Sequence, residues 1–148
     1  MTAAVTLAAM GNGPAFSAYQ STAQSLTANV ITKLAFQTKE FDTANAFDNT
    51  TNYRFQPTVA GYYQVNGCFT AGSNRTYSVI YIYKNGANFK SSNTGNSTTG
   101  VGASVSALTY LNGSTDYIEI CALTGISQNI NSALTDTYFQ AAMVRSAT

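Results

Sequence analysis

After residue 14 helical periodicity nearly vanishes, and hydrophobic and polar positions alternate with a period of two. In "GYYQVNGCF" (61–69), Tyr63, Val65 and Phe69 fall on one side, and Tyr62, Gln64, Asn66 and Cys68 on the other. Ten segments carry this signature: "AFSAYQS", "TKLAFQT", "EFDTA", "YRFQP", "GYYQVNGCFTA", "TYSVIYIYKNG", a short "NFKSS", "GASVSALTYLN", "DYIEICALTG" and "YFQAAMVRS". They are rich in Val, Ile, Tyr, Phe and Thr, and Gly, Asn, Ser and Pro separate them. Asn85 and Gly86 in "KNGA" predict a tight hairpin, because both residues tolerate positive φ. The polar stretch 91–100, "SSNTGNSTTG", reads as a loop, and neither repeats nor heptads are present. Ten short strands predict an all-β sandwich or barrel.

A chain of 148 residues suffices for one domain that buries roughly 70% of its unfolded surface. Charged residues make up only 9%, against about 25% in an ordinary soluble domain. Solubility therefore rests on Ser, Thr, Asn, Gln and Tyr. A net charge of +1 provides no field for nucleic acid or anionic lipid, so neither is an expected partner. The opening "MTAAVTLAAM" is apolar but short and lacks a basic leader, and reads as neither signal peptide nor membrane span. Residues 1–14 are expected to be a stub or linker from an upstream shaft, with "GNGP" as the joint, and 15–146 to form the domain. Alternation places Cys68 and Cys121 on the faces of their strands that point away from the core. If those strands belong to different sheets, the sulfurs cannot meet, and both are expected to be free thiols.

The absence of histidine removes the commonest general base and metal ligand. Among the six acids, Glu40 and Asp42 could share a strand face as a hydrolase pair, but an acidic pair in a bend reads better as solvated. No base accompanies the serines, and no glycine-rich phosphate cradle is present. Asp42, Asp48 and Asp116 are oxygen donors of the class calcium takes, yet they are scattered and read as turn formers and strand caps. The expectation is a non-enzyme without cofactor or metal.

Four pieces, in order and spacing, resemble the complement C1q-like domain of the tumour necrosis factor-like superfamily. They are "AFSA" (15–18), "LAFQTKEFDTANAFDNTTNYRFQPTVAGYYQV", "LTYLNGSTDYIEI" and "YFQAAMV" (138–144), spanning about residues 15–146. The low charge and abundant Asn, Thr, Ser and Gly are similar to the versions at bacteriophage tail-fibre tips. The resemblance implies a ten-strand, two-sheet jelly-roll sandwich that forms a homotrimer. The residues supply a reason for a partner. Tyr62, Tyr77, Tyr81, Tyr83, Tyr110 and Tyr138 put aromatic groups on both faces of their strands, whereas a two-sheet sandwich has one inner face per sheet. Tyr62, Gln64, Tyr110 and Tyr138 are the candidate trimer contacts.

If successive strands from "YRFQP" onward run antiparallel, the loops at 71–76, 91–100 and 124–137 gather at the end away from both termini. They carry Asn74, Arg75, Asn93, Asn96, Gln128, Asn129 and Asn131, with Tyr77 at the edge. Amides beside an aromatic ring and an arginine suit sugars or polar protein patches. The function expected is a trimeric host-attachment tip of a viral tail fibre, on the virion or otherwise extracellular, that binds a cell-surface glycan or protein receptor. The alternative is a purely structural trimerisation or capping module of a fibre or a secreted bacterial surface protein.

Overall fold

A computed structural model describes residues 12–72, 77–95 and 102–147. Within them the chain forms β1 (Ala15–Tyr19), β2 (Gln24–Leu26), β3 (Thr32–Lys33), β4 (Thr38–Asp42), β5 (Phe47–Asp48), β6 (Arg54–Phe55), β7 (Gly61–Thr70), β8 (Ser78–Lys84), β9 (Ala87–Thr94), β10 (Gly102–Leu111), β11 (Ile118–Thr124), β12 (Gln128–Ile130) and β13 (Tyr138–Ser146). One sheet has the order β10-β7-β13-β1-β4; the other runs β5-β6-β11-β8-β9, with β3 also pairing β11. The short β2–β12 ribbon forms a third, two-stranded sheet, tied to the end of β7 by the Ala71–Ile130 bridge. This is a two-layer antiparallel jelly roll.

The alternation decides which side of each ribbon is buried. Along β7 the odd-numbered residues are buried and the even ones are not. Phe16, projecting inward from β1, stacks on Phe47 and Phe55 at 4.6 Å and meets Phe139 edge-on at 4.8 Å. Both sheets therefore close on one aromatic knot. Opposite the middle of β7, a Cβ at Gly67 would come within 2.8 Å of Ile120 Cδ1, so the missing side chain lets the sheets approach. Asn85 and Gly86 join β8 to β9 with φ of 53° and 78°, the left-handed pair that a tight hairpin needs.

All ten expected strands are present, several trimmed, and β2, β5 and β12 are added. "TKLAFQT" keeps only Thr32–Lys33 as a strand. Leu34 and Phe36 beyond it are fully buried anchors on extended chain, with the Leu34 N–H donating to the Ile120 carbonyl at 2.9 Å. The expected loop 91–100 begins later, because 91–94 continue β9 and pair with 78–81 of β8. An apolar partner strand supplies the ladder, and an edge strand tolerates Ser, Asn and Thr on both faces.

The cysteines are free and lie in different sheets, on β7 and β11. Cys121 departs from expectation in one respect. It is on the outer face of its sheet yet only 5% exposed, flanked in register by Lys33 and Tyr81. Burial pushes its thiol up to about 12, and nearby Glu119 acts in the same direction.

Candidate binding tip and self-association face

The register fixes which loops share an end. Thr70 pairs with Gly102, Ser78 with Thr94 and Thr124, and Cys68 with Tyr138, so the connections after β7, β9 and β11 all leave the same end of the sandwich. At the other end Ala15 pairs with Ala142, and Gly61 with Ser146. The first and last strands thus begin and finish away from the loop cluster.

At that tip the structure brings together Tyr77, Asn93, Gln128, Asn129 and Asn131; Asn74, Arg75 and Asn96 lie outside the described residues. Tyr77 is exposed, and its hydroxyl donates to Asn29 Oδ1. Asn129 is exposed and accepts from the Ser25 hydroxyl across the β2–β12 ribbon. Asn131 donates its backbone N–H to the Thr70 carbonyl at 2.7 Å and its amide to Asp136 at 3.3 Å. Gln128 is half-buried, and neither atom of its amide has a partner. Asn93 is exposed near the end of β9, opposite Val79. The sequence reading missed the part of the tip supplied by residues 20–37. That segment contributes β2, Asn29 in the left-handed region (φ 61°), and the exposed apolar pair Val30 and Ile31. Two adjacent β-branched residues in a non-alternating stretch were the available signal.

The second surface is the outer face of the β10-β7-β13-β1-β4 sheet, built in transverse rows. Nearest the termini Tyr110 pairs with Tyr62, their rings 5.5 Å apart, and Arg145 follows across β13. Next come Leu108, Gln64, Ala142 and Ala15; then Ser106, Asn66, Gln140 and Ser17; then Ser104, Cys68, Tyr138 and Tyr19. All four candidate trimer contacts therefore share one face. Leu108 is 55% exposed, Val144 44%, Tyr62 43% and Tyr110 42%. Leu108, Val144 and Tyr62 border a hollow of about 460 Å³ beside Arg145, and Tyr110 stands against Tyr62. Leu108 and Val144 were missed, although "SVSALTYL" carried the signal: Leu108 stands in the outward phase of its strand while polar Thr109 is buried inward.

Farther up the face, polar side chains bond to one another. Gln64 donates to Ser106 Oγ at 2.8 Å, which donates to Asn66 Oδ1 at 2.9 Å. Gln140 donates to Ser17 Oγ at 3.0 Å, and Ser17 donates to Glu40.

The chain has a tumour necrosis factor-like fold. The TNF-like structures include Eiger TNF from S. frugiperda (TM-score 0.75, 8% identity, covering 93% of this chain and 96% of that one). Murine APRIL at pH 5.0 gives 0.71 at 7% identity, covering 89% of this chain and 99% of that one. PRD1 vertex protein P5 gives 0.66 at 15% identity, covering 89% and 97%. No protein-family model and no curated protein matches the sequence.

Within this TNF-like sandwich the acidic residues clamp turns. Asp42 accepts the N–H groups of Ala46 and Phe47, each at 3.0 Å, and pairs with Lys39 at 2.8 Å. Burial raises its pKa, but the Lys39 bond and the two N–H groups outweigh this and leave it below the ordinary value. The backbone N–H groups of Thr51 and Thr50 hold Asp48 far below the usual carboxylate range. Asp116 is raised by burial and lowered more by Asn85, Lys84 and the Asn112 N–H. Glu40 accepts from Ser17 while Asp42 serves the 42–47 turn, so the two carboxylates are committed to different partners.

Proposed function

We propose that this domain is a non-enzymatic, homotrimeric attachment tip of a viral tail fibre. It self-associates through the outer face of the first sheet and binds a cell-surface saccharide or protein through its apical loops. The observation that carries the reading is the polarity of the sandwich. The domain's two ends share one pole with the exposed Tyr62, Leu108, Tyr110 and Val144, and the neutral amide-rich loops occupy the other. A shaft would join at the first pole and leave the second free. Exposed apolar groups that border one hollow mark an interaction surface, and tyrosine suits a half-wet contact because its hydroxyl stays hydrated. PRD1 vertex protein P5 among the structures sharing the fold favours a viral setting, as does the sequence resemblance to tail-fibre tips.

Sedimentation equilibrium of the isolated domain is expected to give three chains, and glycan-array or cell-binding measurements to give a specific ligand. Replacing Asn93 and Asn129 with alanine should abolish that binding without dissociating the trimer. Full binding by a variant with all three apical loops exchanged would place the ligand elsewhere.

A further inference from the structure

A second cavity, of about 370 Å³, lies on the flank of the sandwich among the turns that join β4, β5 and β6. Its size is that of a small-ligand site. Lys39, Asn45, Asp48, Asn52, Arg54 and Gln56 line it. Asp48 and Arg54 face each other in register across β5 and β6, a placement in which opposite charges ordinarily pair. Here they do not. The Asp48 carboxylate turns into its own turn, where it accepts from the N–H groups of Thr50, Thr51 and Asn52 at 2.9–3.0 Å and from the Asn52 amide at 2.9 Å. Arg54 turns the other way: its guanidinium lies 4.4 Å from the Tyr117 ring centre and donates to Gln56 Oε1 at 3.0 Å.

The three ion pairs among the described residues leave Arg54 out, so its cation is fixed in place without a carboxylate. Lys39, which also lines the cavity, has its Nζ held by Asp42 at 2.8 Å and by Asn45 Oδ1 at 3.2 Å. A planar guanidinium held by stacking and one hydrogen bond is pre-organised to take a carboxylate in a two-point grip. Gln56 spends its amide on Arg54 and the Ser114 carbonyl, whereas Asn45 keeps its amide N–H groups and Asn52 its amide oxygen for neighbouring hydroxyls, which a bare anion lacks.

We propose that this flank cavity binds an acidic saccharide, with the carboxylate of a uronic acid on Arg54 and its hydroxyls against the Asn45 and Asn52 amides. The site stands apart from the apical loops and does not depend on them. Titration of isotope-labelled full chain with glucuronate, glucose and inorganic phosphate, followed by NMR, tests it. Glucuronate should shift the Arg54 Nε–H and the Asn52 and Gln56 amide signals, and glucose and phosphate should leave them in place. Arg54→Gln should weaken glucuronate binding by about tenfold or more, as expected for a lost bond to a charged group. Arg54→Lys, which keeps the charge and loses the fork, should weaken it as well. Asn93→Ala with Asn129→Ala should leave it unchanged. Equal shifts with glucose, equal shifts with phosphate, or full binding by a folded Arg54→Gln protein would each overturn the assignment.

Discussion

Asp48 closes the turn between β5 and β6 with bonds from three successive backbone N–H groups. Asp48→Ala should therefore cost about 1–2 kcal/mol in urea denaturation through those lost bonds. Its titration, with that of Asp42 and Asp116, also sets the acid limit of stability. All three carboxyls sit below their ordinary values in the folded protein. As pH falls below about 4, the unfolded chain takes up protons first, so stability drops toward the lower folded values; above about pH 5 it is flat. Denaturation measured across pH should show that fall, with a shallower slope for Asp48→Asn. Cys121 contributes on the alkaline side. Its thiol is raised to about 12, so its contribution is complete below the ordinary thiol value of about 8.5 and is lost as pH rises toward the folded one. The same burial should keep Cys121 unmodified by iodoacetamide at pH 8 until the protein is unfolded, which mass spectrometry of the alkylated chain would show.

At the scale of the element, the β7–β11 approach depends on Gly67 facing Ile120. Gly67→Ala should destabilise by about 1–3 kcal/mol as Ile120 is forced aside, measurable as a lowered urea midpoint with an unchanged m-value. Long strands were legible because their side chains alternate over seven to ten residues: β7, β8 and β10 each bury one phase. The short ones were not. A strand of two or three residues, such as Phe47–Asp48 or Gln128–Ile130, has no period to read, and its ladder is set by a distant partner. The same limit applies at the tip, where the loops follow from strand direction but residues 20–37 join them through distant partners, β2 with β12 and the Asn29 N–H with the Thr124 carbonyl. The flank cavity was invisible for a related reason. Arg54 looks like an ordinary outward residue in "YRFQP", and only the rotation of Asp48 into its turn shows the cation to be unneutralised.

For the whole molecule, self-association through Tyr62, Leu108, Tyr110 and Val144 would cover apolar area rather than charge. Leu108→Glu is thus expected to yield folded single chains by sedimentation, with the far-ultraviolet spectrum retained. Wild-type assembly should persist from low to molar salt, because screening acts on charges and the described face carries few beyond Glu40 and Arg145. The chain of side-chain bonds through Gln64, Ser106 and Asn66, with its counterpart through Gln140 and Ser17, has a further consequence. A purely greasy contact would let neighbouring copies slide along one another with little change in energy. Sliding by two residues, about 7 Å along a strand, would seat one copy's amides against another's tyrosine rings and strand them without water. In the proposed trimer these few neutral groups would act as an alignment key, holding the copies level so that their loops would meet a target surface at the same height.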